Sequence, residues 1–279
     1  MRRVFNARAY FSIVIIMIRI GIAGIPHRAK GKGTEAGIRC LCSLGLDAME
    51  VQFGRNIYMT PDSARKSAAV AGECGLALSI HAPYYINLTS KNTATREKSK
   101  EWIIRSLRIA RDLEAKIVVF HPAREREQGI LRENLLELSD MRKKEGIKAL
   151  MGLETTGDAP ELGSVEDYLD ILKTVPGTDI VIDFSHLHAR TNGSIRNKAD
   201  YEAIFKTLKP VKANHFHVHF SNVEYKNGRE VRHLPLGDQP PFEPLARILK
   251  ERKLDATIIC ESPLLEEDAL KMKKILESI

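Results

Sequence analysis

Short apolar, β-branched runs alternate along the chain with longer segments whose apolar positions recur at helical spacing. The runs are IRIGI (18–22), AMEVQF (48–53), ALSI (77–80), KIVVF (116–120), KALMGL (148–153), DIVID (179–183), NHFHVHF (214–220) and ATIIC (256–260). Each reads as a strand. The segments between them, 34–45, 61–75, 93–113, 126–145, 164–174, 198–207, 242–252 and 265–277, read as helices. The second helix has a local cause at each end. Thr60 precedes Pro61, which pairs an N-cap side chain with a proline at the first helical position. Gly75 stands just past its last turn, where a left-handed cap is expected.

Strand ends recur about every 34 residues, the length of a βα unit. The units share no sequence, so the period is architectural. Eight such units in 279 residues fit a single-domain α/β fold, the (β/α)₈ TIM barrel. A doubly wound open sheet would place a glycine-rich phosphate loop after the first strand. Gly21, Gly24, Gly31 and Gly33 are scattered there, with no G-x-G-x-x-G.

Composition adds little to that picture: 43% apolar and 28% charged residues are ordinary for a globular chain. A chain of this size fills a core without a structural metal, so any metal serves chemistry. Cys40, Cys42, Cys74 and Cys260 form no C-x-x-C pair and read as reduced thiols of a cytoplasmic protein.

The net charge of +7 is carried entirely by residues 1–32, which hold Arg2, Arg3, Arg8, Arg19, Arg28, Lys30 and Lys32 and no acid. The rest of the chain balances, so net charge alone does not point to a polyanionic partner. Residues 1–16 resemble a signal peptide in outline, but no small-residue cleavage site follows. The apolar run also falls short of the ~18 residues of a membrane span. The reading is an upstream extension at 1–16, a barrel at 17–279, and no membrane partner.

The strand ends carry the chemistry. His81 follows the third strand and His121 the fourth; Glu154 follows the fifth. Asp183 ends the sixth, with His186 three residues on. The seventh carries His215, His217 and His219, its following loop His233, and Glu261 follows the last. In a barrel such positions face the C-terminal rim, where active sites sit. Imidazole nitrogens and carboxylate oxygens converging on one mouth are what a divalent metal requires. More than four such groups exceed one zinc and imply a cluster with a bridging carboxylate. Two or three ions about 3.5–4 Å apart suit in-line attack on phosphodiesters. There is no G-x-S-x-G elbow that would supply a side-chain nucleophile.

HAPYYINL (81–88), VVFHPA (118–123), GLETTGD (152–158), DFSHLHA (183–189), HVHFSN (217–222), RHLPLG (232–237) and ICES (259–262) resemble, in order, the motifs of the endonuclease IV family. These are zinc-dependent apurinic/apyrimidinic (AP) endonucleases on a xylose-isomerase-like TIM barrel. The resemblance runs from about residue 18 to 279. It implies that His81 and His121 hold one zinc and that Glu154 bridges to a second, completed by Asp183, His219 and Glu261. His186 and His233 would hold a third. The family's Asp two residues before the last of these histidines is Val231 here, which cannot coordinate, so Zn²⁺ would number two or three, with water or another acid such as Asp238 completing the last site.

The resemblance further implies catalytic roles for Glu154, Asp183 and Glu261 and double-stranded DNA with abasic sites as partner. Tyr84, with Arg55 as a looser match, would contact the DNA. Basic loop residues such as Arg28, Lys30, Lys32 and Lys91 are candidate phosphate contacts. The expected activity is cleavage 5′ to the lesion by a monomeric cytoplasmic repair enzyme. The alternative is a sugar isomerase or epimerase, for which Glu154, Asp183, His219 and Glu261 would suffice. A third class is a protein that binds metal and duplex without turnover.

Overall fold

The computed structural model describes residues 17–211, 213 and 215–279; the expected extension at 1–16 lies outside the described residues. Ten strands are described: β1 (Ile18–Ala23), β2 (Ala48–Gln52), β3 (Ala77–His81), β4 (Ile117–Phe120), β5 (Leu150–Glu154), β6 (Thr178–Asp183), β7 (Phe216–Phe220), β8 (Asn222–Lys226), β9 (Arg229–Leu234) and β10 (Ala256–Cys260). Eight close into a parallel barrel in the order β1-β10-β7-β6-β5-β4-β3-β2, while β8 and β9 form a separate antiparallel pair. All eight barrel strands expected from the sequence are present, and the fold is the single-domain TIM barrel expected.

The helices are α1 (Thr34–Ser43), α2 (Pro61–Cys74), α3 (Thr93–Leu113), α4 (Gln128–Lys144), α5 (Val165–Thr174), α6 (Phe184–Arg190), α7 (Lys198–Thr207), α8 (Phe242–Glu251) and α9 (Glu266–Ser278). Thr60 caps α2 by accepting from the Ser63 N–H, Pro61 is its first residue, and Gly75 takes the left-handed conformation at its end with φ 67°. Such a cap stabilises a helix by roughly 1 kcal/mol. Among the described residues no helix is long and apolar enough to cross a membrane.

Alternation along each strand sorts side chains between two environments. Ile20, Ile22, Met49, Ile80, Phe120, Leu153, Ile182, Val218, Phe220 and Ile258 join the large core shared with the helices. Inside the barrel a much smaller apolar cluster, Ile117, Val119 and Val181 with Leu150 against it, fills one side. Glu50, Ser79, His217 and His219 are also buried. Polar groups on inward positions are costly unless paired, so their partners decide what the barrel is for.

One expectation is corrected. Cys42 in α1 and the last residue of α2, Cys74, are joined in a disulfide with their Cα atoms 6.2 Å apart. Neighbouring strands bring α1 and α2 side by side, which pairs two thiols that sequence spacing kept separate. Cys40 and Cys260 are free.

Candidate metal centre

Three donor sets share the C-terminal rim. Each set brings one ligand atom per residue to within 4.8 Å of the others: His81, His121 and Glu154; Glu154, Asp183, His219 and Glu261; and His186, Glu230 and His233. Glu154 belongs to two of them. Its Oε2 lies 3.0 Å from Nε2 of both His81 and His121, and its Oε1 lies 2.9 Å from Nδ1 of His219. Parallel register places these groups. His219 pairs with Asp183 across β6 and β7, and Glu154 ends β5 beside Val181. All eight residues expected to ligate metal are therefore gathered at one mouth.

The local geometry turns the rings toward it. Nδ1 of His81 donates to the Ala82 carbonyl at 2.8 Å, which leaves Nε2 facing Glu154. Asp183 caps α6 by accepting from the His186 N–H at 2.8 Å, so His186 rises from the first turn of that short helix. Its Nδ1 donates to the Thr155 carbonyl at 2.8 Å, and its Nε2 faces Glu230 at 2.7 Å. His233 Nδ1 lies 2.6 Å from the Ser221 hydroxyl, with Nε2 3.2 Å from Glu230. A ring held at one nitrogen and open at the other is the usual arrangement of a metal-ligating histidine.

Glu230 was missed by the sequence reading, which placed the family's acid at Val231 and looked to Asp238 instead. The β8–β9 register explains the difference. Val223 pairs with His233 and Glu224 with Arg232, but Tyr225 pairs with Glu230, with the irregularity falling between Glu224 and Tyr225. Val231 is thus the extra residue of a β-bulge and stands 56% exposed. A bulge shifts the alternation by one residue, so Glu230, three positions before His233, faces the same way. Asp238 instead directs its N–H to Asn222 Oδ1 and belongs to none of the three sets. The signal in sequence was the Asn227-Gly228 turn, a hairpin marker that fixes where pairing starts.

Electrostatics set the charges. Burial alone would raise the Glu154 carboxyl, but His121 and His219 outweigh it and hold it well below the usual range. Burial raises Glu261, with Glu154 and Asp183 adding to the shift. Burial would lower His81, His186 and His219; the facing carboxylates win, raising His81 to about 9 and the other two well above the ordinary value. Glu230 is pushed up by burial yet drawn down to about 2 by His186.

The residues fit a metal. Asp183 is fully buried, and its Oδ2 has no hydrogen-bond partner. Among the described residues no Lys or Arg forms an ion pair with Glu154, Asp183 or Glu261. Burying a carboxylate without compensation costs several kcal/mol. Three carboxylates with nitrogen donors beside them, and one orphaned oxygen among them, form a donor set that divalent cations would compensate.

Two histidines lie elsewhere, against the expectation of a common rim. His215 precedes β7 at the opposite end of the barrel, with Nδ1 3.0 Å from Asp255 Oδ2. His217 points inside, 3.0 Å from Glu50. Strand polarity is the reason, since only the last residues of β7 reach the rim. Tyr84 stands at the mouth, 48% exposed, its ring 4.2 Å from that of Tyr85. A cavity of about 250 Å³ lies between Tyr84, His81, His121, Glu230 and Glu261. A larger one, about 690 Å³, lies at the far end around His215 and Asp179, away from the donor sets.

The comparisons bear on the barrel and its family. The family model for the xylose isomerase-like TIM barrel matches residues 39–279. An uncharacterized protein of Methanocaldococcus jannaschii is 31% identical over 93% of this chain and 97% of its own length. A probable endonuclease 4 of Streptomyces avermitilis is 34% identical over 44% of this chain and 43% of its own. Endonuclease IV from Thermus thermophilus superposes with a TM-score of 0.74 at 20% identity, covering 93% of this chain and 98% of its own. A D-tagatose 3-epimerase-like protein superposes with 0.71 at 22% identity, covering 93% and 96%. Those structural likenesses establish the shared barrel, and the family match shows that the chain belongs to the xylose isomerase-like TIM-barrel family.

Proposed function

We propose that this protein is a zinc-dependent phosphodiesterase that cleaves DNA 5′ to abasic sites. The observation that carries the reading is the third donor set. A sugar epimerase needs only Glu154, Asp183, His219 and Glu261. The set His186, Glu230 and His233, together with His81 and His121, adds four imidazoles, a nitrogen-rich supply that favours zinc over harder ions. The partial similarity to a probable endonuclease 4 supports the same direction.

His81, His121 and Glu154 would hold one ion, Glu154, Asp183, His219 and Glu261 a second, and His186, Glu230 and His233 a third. When bound, zinc supplies Lewis acidity toward a phosphoryl oxygen and a water acidic enough to act as nucleophile near neutral pH. The chain's own residues do the rest. Glu154 keeps its carboxylate ionised between two donor sets. Tyr84 at the mouth, with Arg55 nearby, would enter the space left by the missing base. An abasic sugar has no base to unstack, so exposing it costs little. The protein would work as a cytoplasmic monomer.

The test offers zinc-loaded protein a duplex carrying one abasic site and, separately, a ketohexose. Incision leaving a 3′-hydroxyl, with the sugar unchanged, supports the proposal. An intact duplex with an epimerised sugar overturns it in favour of the epimerase reading, for which the structural likeness to an epimerase-like protein is the supporting observation.

A further inference from the structure

Behind the rim, Glu50 on β2 is wholly buried inside the barrel, facing β7. Its Oε1 lies 3.1 Å from Nε2 of His219, on the far side of that ring from Nδ1. Nδ1 is the nitrogen that faces Glu154 at 2.9 Å and Glu261 at 3.4 Å. The other carboxylate oxygen, Oε2, lies 3.0 Å from His217 Nε2 and accepts from the Ser79 hydroxyl at 2.9 Å. Gln52 donates to Oε1 at 3.1 Å. Three neighbours thus hold this carboxylate in place.

His219 is set apart from the other rim histidines. His81, His186 and His233 present Nε2 to the site and anchor Nδ1 on a carbonyl or hydroxyl. His219 is reversed, and its Nε2 is buried without a well-directed hydrogen bond although Glu50 is within reach. We propose that Glu50 is the positioning residue for His219. Its carboxylate takes the Nε2–H, which fixes the tautomer with the Nδ1 lone pair free toward Glu154 and Glu261. His217, Ser79 and Gln52 act through it by keeping that carboxylate in line. The proposal rests on reading His219 as a metal ligand, and it holds for a nuclease or an epimerase alike.

Glu50→Gln keeps the shape and removes the charge. Outer partners of ligating histidines typically contribute 10–100-fold to metal affinity. Zinc competition against a metal-binding dye should therefore show one ion weakened by about 10–100-fold in E50Q, with the number of ions per chain unchanged when zinc is in excess. Nitrogen-15 NMR of zinc-loaded wild-type protein should place the His219 proton on Nε2, a readout that needs no variant to fold. A proton on Nδ1, or affinities in E50Q equal to wild type, would overturn the assignment. So would loss of one whole ion with the others untouched, since Glu50 would then be a ligand together with His217 and His219. Wild-type protein that takes up no zinc removes the metal centre itself, and this assignment with it.

Discussion

At the scale of single residues, Glu154 is the group on which two donor sets depend. Glu154→Gln should leave the far-UV circular dichroism unchanged and lower zinc affinity by more than the ~10–100-fold of an outer partner, with incision falling to background. Full activity in that variant would contradict the shared role. Tyr84 is exposed at the mouth and belongs to none of the donor sets. Tyr84→Ala should cost roughly 1–3 kcal/mol of duplex affinity, the range for a lost aromatic stack, with zinc content unchanged. Parallel losses of DNA and zinc would argue for a structural part instead. Six of the eight expected ligands were legible because each stands at or just past the end of a barrel strand, where alternation and polarity leave one direction to point. His186 and His233 stood out as loop residues beyond the sixth and seventh strands, but their grouping into a third set rested on family resemblance, since their place depends on a short helix and a hairpin. Glu50 was hidden in AMEVQF, a strand whose other residues read as ordinary core.

At the scale of elements, the β8–β9 hairpin decides whether a third set exists. Its Asn227-Gly228 turn has φ 52° and 71°, which fits the tight turn favoured between two antiparallel strands. From that turn, Tyr225 meets Glu230 and Val223 meets His233, with Val231 left over. Deleting Val231 would restore regular alternation and keep Glu230 beside His233. The deletion variant should retain its third ion, while Glu230→Ala should lose it; elemental analysis of the two compares them directly. Equal loss in both would show that the bulge itself shapes the site. Sequence alternation could not reveal this, because a bulge breaks the very period from which facing is read. The Cys42–Cys74 pair was equally illegible, since it depends on how α1 and α2 lie against each other. The seven residues of α6 were too few to show a helical period.

At the scale of the whole molecule, the metal-free and metal-bound forms should respond to pH in opposite senses. Without metal, His81 is raised to about 9 from an ordinary 6.5 by Glu154. Its ion pair stabilises the fold fully below pH 6.5 and is lost as pH rises through about 9. Glu230 is drawn down to about 2 from 4.5, so its contribution is present above pH 4.5 and lost as pH falls through about 2. Zinc must displace the imidazole protons, so its affinity rises with pH. Melting temperatures of chelated and zinc-loaded protein should diverge from pH 6 to 9, the loaded form gaining on the other. Curves that stay parallel would contradict the exchange of protons for metal.

The barrel and its single domain were legible from the spacing of eight strands, because each must bury its face against the next. What fills the barrel was not, because the identity of inward neighbours depends on register. The account stands on ions shared among those inward and rim donors. A crystal of the zinc-loaded protein measured at the zinc absorption edge tests this directly. Three anomalous peaks are predicted: at His81–His121–Glu154, at Glu154–Asp183–His219–Glu261 and at His186–Glu230–His233. A rim without anomalous density, its histidines and carboxylates bonded only to one another, would contradict it.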